Sequence, residues 1–457
     1  MQDHPNIRLH RQISLARIDD LKPATRNPRT HTRRQIKQLA DSIRRCGFTT
    51  PVLVDEDQGI LAGHARVEAA RLLGMIEVPV SCIADLSPEE RRAFKLADNK
   101  IALNAGWDPE LLAIELQELI ELDFEVDLTG FSVVEIDSLL EDARDAATDG
   151  DDAPEDLIPA PSLNAICQQG DIWELGRHRL LCGDARSPDH MARLMAGEQA
   201  GVVFTDPPYN VPIDGHVCGS GKVRHREFAM ASGEMSASEF TAFLEGTLGN
   251  MVAVLRSGTI FYVCMDWRHM RELCEAGEAL ELELKNLVVW NKSNGGMGTF
   301  YRSKHELIFV FKHGDAEHVN NFGLGDGGRY RTNVWDYRGI SSISATRGEE
   351  LAMHPTVKPV ALVADALRDC SRRGDVVLDP FAGSGTTLIA AQSVGRTARL
   401  IEFDPLHCDT ILRRYRQYTG KEPILASTGQ TFEEIEAGVG SEVGSDESAA
   451  HAGEGVA

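Results

Sequence analysis

Hydrophobic positions recur along this chain with two different periods, and their succession predicts an α/β protein. In the N-terminal third, Ile36, Leu39, Ala40 and Ile43 fall on one helical face within 32–46, and Gly47 follows as a stop. Short apolar runs at 51–54 and 60–62 read as strands around an acidic turn. A second helix opens at Gly63-His64-Ala65-Arg66 and ends at Leu73-Gly74, and 76–83 returns as a strand. Ser87-Pro88-Glu89-Glu90 has the spacing of a capping box and starts a third helix. Asp108-Pro109 starts a fourth, running to about Leu122. Farther on, Val202-Val203-Phe204, 307–311, 376–378 and 397–403 are apolar runs of strand length. A helix through Leu388-Ile389-Ala390-Ala391, stopping near Gly395, joins the last two.

Between these patterned regions, 142–162 is rich in Asp, Ala and Pro without apolar periodicity and reads as a flexible acidic linker. The residues after 432 are Gly, Ser, Ala and Glu and read as a disordered tail. The expected partition is therefore a small α+β domain at 1–141, the linker, a larger α/β domain at 163–432 and the tail at 433–457.

The net charge of −23 speaks against a nucleic-acid partner until its distribution is drawn. From Asp108 to Asp156 there are 18 acidic residues and one basic, and from Glu433 onward seven acidic and none basic. These sum to −24, so the rest of the chain carries about +1. The segment 285–347 holds nine Lys or Arg against five acidic residues, and 1–100 holds 17 basic against 13 acidic. No apolar run has the length of a membrane span, and the N-terminus has no signal-peptide pattern. The nine cysteines are scattered singly, which argues for a reducing cytoplasm, with buried apolar cysteine as the default for each and no metal site expected.

Candidate chemistry gathers at two places. Asp206-Pro207-Pro208-Tyr209-Asn210 follows the 202–204 run, at the carboxyl end of a strand, where open α/β sheets hold their ligands. The prolines keep the backbone extended and remove two donors, leaving carbonyls free beside a carboxylate and an aromatic face. Such a slot suits a nucleobase taken out of its stack. The second place is Asp379-Pro380-Phe381-Ala382-Gly383-Ser384-Gly385-Thr386, a glycine-rich turn between a strand and a helix N-terminus, with Glu402 closing the next strand. By itself that turn is equally compatible with a nicotinamide site.

Together, in this order, the two strings resemble the amino-methylating DNA methyltransferases that modify the exocyclic amine of adenine or cytosine, in their circularly ordered β class. His354-Pro355-Thr356-Val357-Lys358-Pro359, Leu181-Cys182-Gly183-Asp184-Ala185 and Ser303-Lys304-His305-Glu306 also match, and the resemblance covers about 163–431. It implies a Rossmann-like S-adenosylmethionine-dependent domain with a mixed sheet. It implies catalysis by Asp206, Pro207, Pro208 and Tyr209 on duplex DNA. Cofactor binding falls to Asp184, Thr356, Lys358, Asp379, Phe381, Gly383, Ser384, Gly385, Thr386 and Glu402, with Lys358 or Thr386 on the cofactor's carboxylate. For Asp379 a helix cap remains the plain alternative. In this family Asp in the first position leans to adenine and Ser to cytosine, so adenine is expected, with N4-cytosine as the alternative. Target recognition is expected in an insert at 293–349, through Lys304, Arg329, Arg331 and Arg338; a surface loop with incidental charge is the bland reading. The resemblance also implies a cytoplasmic, bacterial or phage-encoded enzyme of the restriction-modification or orphan kind, and is compatible with a homodimer.

The N-terminal order of elements, with Gly63-His64-Ala65-Arg66, resembles the ParB/sulfiredoxin-like domain, whose usual string is Gly-Glu-Arg-Arg. It implies that Gly63, His64 and Arg66 meet a nucleotide or DNA phosphate; the alternative is a helix start whose arginine pairs locally. A partition-type DNA-binding protein with a vestigial methyltransferase half is the competing reading of the whole.

Overall fold

A computed structural model describes residues 12–24, 29–102, 104–122, 124, 126–132, 135–137, 139–140, 143, 154–159, 164–211, 233–292, 300–321, 331–337 and 357–438. The chain divides into two compact units, Met1–Arg144 and Asp145–Ala457.

The first unit is α+β. In chain order it contains β1 (Ile13–Arg17), α1 (Arg33–Cys46), β2 (Val52–Val54), β3 (Ile60–Ala62), α2 (His64–Leu72), β4 (Glu77–Cys82), α3 (Pro88–Ala102) and α4 (Pro109–Glu121). The sheet order is β1-β4-β2-β3, with β2 parallel to β4 and the other pairs antiparallel. Thr32 caps α1 by accepting from Gln35 N, and Gly47 ends it at φ +81°. The capping box at Ser87 and Glu90 is formed in both directions. Val52, Val54, Ile60, Val67, Val78 and Val80 form the core of the sheet half. A separate apolar cluster, Ala113, Leu116, Val126, Ile136 and Leu140, holds the helical residues after Asp108 together.

The second unit is built on one ten-stranded sheet. Its elements are β5 (Ile172–Leu175), β6 (His178–Cys182), α5 (Pro188–Met195), β7 (Ala200–Thr205), α6 (Ala237–Val252), β8 (Leu255–Met265), α7 (Met270–Ala279) and β9 (Glu283–Asn291). There follow β10 (His305–Lys312), β11 (Val334–Asp336), α8 (Val360–Cys370), β12 (Val376–Asp379), α9 (Thr386–Ser393), β13 (Thr397–Glu402), α10 (Pro405–Thr419) and β14 (Ile424–Leu425). The order is β11-β9-β10-β8-β7-β12-β13-β6-β5-β14. Strands β8, β7, β12, β13 and β6 run parallel, while β10 and β9 extend one side antiparallel.

The parallel strands are buried on both faces, so they read as continuous apolar runs and not as alternation. Val202 and Phe204 face a core with α8, α9 and α10; Ala200 and Val203 face one with α5, α6 and α7. From β7 the chain proceeds to β8 on one side, whereas β12 leads to β13 on the other. The β7/β12 boundary is thus the topological switch point of the sheet, where crevices form at strand carboxyl ends. Asp206 and Asp379 both stand there.

Two boundary expectations change. Pro154–Asp156, within the expected flexible linker, forms a turn fixed to the second unit. Asp156 accepts from Val360 N at 3.2 Å, and the Glu155 carbonyl accepts from Arg414 at 2.8 Å. At the other end, residues 433–438 of the expected tail are helical, and Glu436 pairs with Arg413 at 2.9 Å and Arg416 at 3.4 Å. The first segment is held by hydrogen bonds and not by apolar periodicity, and the second adds its ion pairs to the packing of Phe432 and Ile435 on the core. Cys46 and Cys82 are exposed, against the buried default.

Candidate active site

Asp206 leaves the end of β7 with its two carboxylate oxygens already engaged. Tyr209 Oη donates to Oδ1 at 2.5 Å, and Lys358 Nζ donates to Oδ2 at 2.6 Å. The ammonium also lies 3.3 Å from Tyr209 Oη, and 5.7 Å from the centre of that ring. Its second carboxylate partner is Glu306 at 3.0 Å, which is in turn paired with Lys292. Lys358 is buried, 4 % exposed, whereas Asp206 remains a quarter exposed. Burial opposes the charge on Lys358, but Asp206 and Glu306 overcome it and hold the ammonium above its ordinary value. Burial raises Asp206 against the pull of Lys358; burial also works on Glu306, but Lys358 and Lys292 keep it below the usual range. No described residue donates to the Pro207 carbonyl, so that acceptor is available. Asn210, at φ +52°, anchors the end of the motif through Gly233 N, Met235 N and the Met235 carbonyl.

Lys358 was expected on the cofactor's carboxylate; its ammonium instead joins the Asp206 cluster. The reason is topological, since the antiparallel β10 brings Glu306 to the same sheet edge as the carboxyl end of β7. Glu306 and Lys292 carried no assigned role in the sequence. The signal available was a carboxylate at the head of an otherwise apolar strand.

The glycine-rich turn sits one strand away. Asp379 is 4 % exposed and accepts from Thr205 Oγ1 at 3.0 Å, Phe381 N at 3.1 Å and Thr387 Oγ1 at 2.6 Å. Burial pushes it up to about 7 against those three bonds. It therefore braces the turn, as in its cap reading, and does not face a ligand. Glu402 ends β13 and accepts from Gly383 N at 2.8 Å and Asp404 N at 2.9 Å. Gly385 takes φ +82° at the cap of α9, and an added Cβ would come 3.1 Å from Ile411. Ser384 and Thr386 turn inward to Arg414, whose guanidinium lies 3.4 and 3.3 Å from their hydroxyls. Burial lowers Arg414 to about 10. Thr386 is thus a core contact and not an open carboxylate ligand. Arg414 carried no assigned role in the sequence; it is buried on α10 together with Asp409 and Thr410, and nothing in the local pattern marks which polar residues of that helix turn inward.

Asp184, after β6, is clamped by Arg186 through both oxygens, at 2.7 Å for the closer of the two guanidinium nitrogens bonded to Oδ2. Phe381 is half-buried, and Phe403, next to Glu402, is 38 % exposed. A carboxylate with spare lone pairs beside a partly exposed ring fits the ribose and adenine of S-adenosylmethionine.

Among the expected DNA contacts, Lys304 is exposed. Arg331 is not available: it donates to Asp365 at 2.9 Å, Asp369 at 3.0 Å and Tyr337 at 2.8 Å, and its guanidinium lies 4.5 Å from the Trp335 ring centre. Two nearly buried carboxylates one turn apart on α8 require a cation, and the sequence window around Arg331 shows neither. Thr356, Arg329 and Arg338 lie outside the described residues.

In the first unit, Gly63 has φ +101° at the start of α2. His64 Nε2 accepts from Ala24 N at 3.2 Å, with its proton affinity lowered by burial. Arg66 donates to the carbonyls of Thr50 at 2.7 Å and Pro51 at 2.9 Å, the local pairing weighed as its alternative.

A Rossmann-like sheet with an Asp-Pro-Pro-Tyr cluster and a glycine turn at its switch point defines a methyltransferase class of site. A DNA methylase family profile matches 200–413, a ParB N-terminal domain matches 6–100, and a ParB-methyltransferase helix-turn-helix domain matches 110–169. The last was not foreseen from the sequence. The chain is 25% identical over 243 residues to the type II methyltransferase M.HinfI of Haemophilus influenzae, covering 49% of this chain and 65%, just under two thirds, of that protein. It is 26% identical over 239 residues to the type II methyltransferase M2.MboI of Moraxella bovis, covering 49% and 82%. Over 75 residues it is 44% identical to the ParB-like nuclease domain-containing protein YnaK of Escherichia coli K12, covering 16% and 86%. Residues 200–413 thus form a domain of the N6/N4 DNA methylase type, with a ParB-type domain ahead of it, and the methyl donor of that methylase family is S-adenosylmethionine.

Proposed function

We propose that this protein is a site-specific DNA methyltransferase that modifies the exocyclic amine of adenine in duplex DNA. The observation that carries the reading is the Asp206 carboxylate at the switch point, beside the Pro207 carbonyl, to which no described residue donates, and the Tyr209 ring. An aromatic amine is a poor nucleophile because its lone pair is delocalised into the ring. Two acceptors on its two hydrogens favour a pyramidal nitrogen with the lone pair exposed, and Tyr209 supplies a face for the flipped base. S-adenosylmethionine supplies, when bound, a methyl carbon activated by sulfonium; the amine lone pair forms the N–C bond, the C–S pair stays with sulfur, and the nitrogen gives up a proton to solvent. Positioning and electrostatics then account for most of the rate. Glu402 would hold the ribose hydroxyls, with Asp184, Phe381 and Phe403 about the adenine and Gly383 and Gly385 allowing close approach. Asp in the first motif position supports adenine over cytosine.

The test is methylation of duplex DNA, digestion to nucleosides and mass spectrometry. N6-methyl-2′-deoxyadenosine as the product is expected. N4-methyl-2′-deoxycytidine alone overturns the choice of base, and no modified nucleoside overturns the reading.

A further inference from the structure

The charges behind Asp206 extend beyond anything amine binding requires. From Asp206 the chain of ion pairs runs through Lys358 and Glu306 to Lys292, two anions and two cations summing to zero. The four residues come from four separate places: the end of β7, the segment before α8, the head of β10 and the residue after β9. Among the described residues, the other titratable groups around Asp206 are Tyr209 and Cys264, both kept neutral by burial, and Asp379 on the adjacent strand end. Methyl transfer develops positive charge on the amine nitrogen, directly against the Asp206 carboxylate. An ammonium 2.6 Å from that carboxylate opposes the developing charge, unless something offsets it. Glu306, 3.0 Å from the same ammonium on its other side, does so.

We propose that Glu306 is a positioning residue for methyl transfer: it shares the Lys358 ammonium with Asp206, so that the ammonium does not cancel the attraction of the Asp206 carboxylate for the substrate amine. This rests on the reading of Asp206 as the amine's acceptor. Lys358 pulls against the burial that raises Asp206, and Glu306 prevents the ammonium from quenching the carboxylate. Lys292, lying 4.7 Å from the Trp290 ring centre, fixes Glu306 from outside.

The role can be read from a series in which only the cluster's charge changes. Glu306→Gln takes it from zero to +1, and Glu306→Gln with Lys292→Met returns it to zero. At saturating DNA and cofactor, Glu306→Gln is expected to lower kcat by about tenfold or more, with the cofactor Kd unchanged. The acid limb of its kcat–pH profile moves to lower pH, because losing a neighbouring anion lowers the proton affinity of Asp206. The double variant regains most of the lost rate. Wild-type kcat in Glu306→Gln, an unmoved acid limb, or a double variant no faster than the single one overturns the role. Should Glu306→Gln not fold, Lys292→Met alone serves: the cluster becomes −1, kcat holds or rises, and the acid limb moves to higher pH. An unmoved limb there also overturns the proposal. Wild-type protein that methylates no DNA amine overturns the reading of the site itself, which is a different outcome from an active wild type with an unimpaired Glu306→Gln.

Discussion

Asp206 and Asp379 stand on neighbouring strand ends, yet their surroundings give them opposite duties. Asp206 keeps a quarter of its surface and two charged neighbours, so it can meet a substrate. Asp206→Ala is expected to lower the methyl-transfer rate by about a thousandfold or more while leaving the S-adenosylmethionine Kd within a few-fold, as read by calorimetry. Loss of cofactor binding in a folded variant would reassign the residue. Asp379 is closed in by Thr205, Phe381 and Thr387, and burial raises it to about 7. A carboxyl group raised on folding binds more protons folded than unfolded between its unfolded value and about 7. Its contribution to stability is therefore present below the unfolded value, lost as pH rises toward 7, and constant above. Asp379→Asn should remove this loss, on the order of 4 kcal/mol over the whole range, most of it between pH 5 and pH 8. Thermal unfolding of both proteins at pH 5 and pH 8 measures it. The wild type should lose stability relative to the variant at the higher pH, and parallel curves would refute the assignment.

At the scale of elements, α8 is held from outside by the strand-like segment around β11. Arg331 joins Asp365 and Asp369 of α8 to Tyr337, and Asn321 donates to the Arg368 and Ser371 carbonyls at the helix end. Removing the cation takes an ion pair from each of two enclosed carboxylates, leaving Asp365 with Arg368 and Tyr337. Arg331→Ala is accordingly expected to cost about 3–5 kcal/mol, seen as a lower Tm, before any effect on DNA. Lys304→Ala, at an exposed position, should leave Tm unchanged and reduce the salt dependence of DNA binding by about one ion. A stable Arg331→Ala with weakened DNA binding would restore the role expected from sequence. The same logic of local pairing applies in α2, where Arg66 ties the helix start to the 50–51 carbonyls.

For the whole molecule, the join between the units matters more than its composition suggested. Residues 154–156 belong with the methyltransferase unit, through Asp156 on Val360 N and the Glu155 carbonyl on Arg414. Arg414 is also the residue that holds Ser384 and Thr386 under the glycine turn. A fragment of residues 145–438 should therefore unfold at a temperature several degrees above one of 163–438, and bind S-adenosylmethionine more tightly. Equal melting temperatures would show that the 154–156 contacts contribute nothing. Methylation by the longer fragment at low salt tests whether the ParB-type unit adds affinity by effective concentration and does not complete the catalytic site.

The succession of helical and strand periods, the glycine turn and the Asp-Pro-Pro-Tyr string were all legible in the sequence, because each is a local pattern. The strands flanking the switch point, buried on both faces, announce themselves as unbroken apolar runs. Only the tertiary structure decided which charges meet. Lys358 and Glu306 lie 52 residues apart and Asp206 a further 100 from Glu306, so no window contains the cluster. Cys167, Cys182 and Cys408 read as scattered, yet all three are buried in one core cluster, where Cys408 donates to the Glu402 carbonyl at 3.5 Å. Periodicity reports how one element faces the core. The pairing of charges depends on strand order and direction, and those are set by packing the whole sheet.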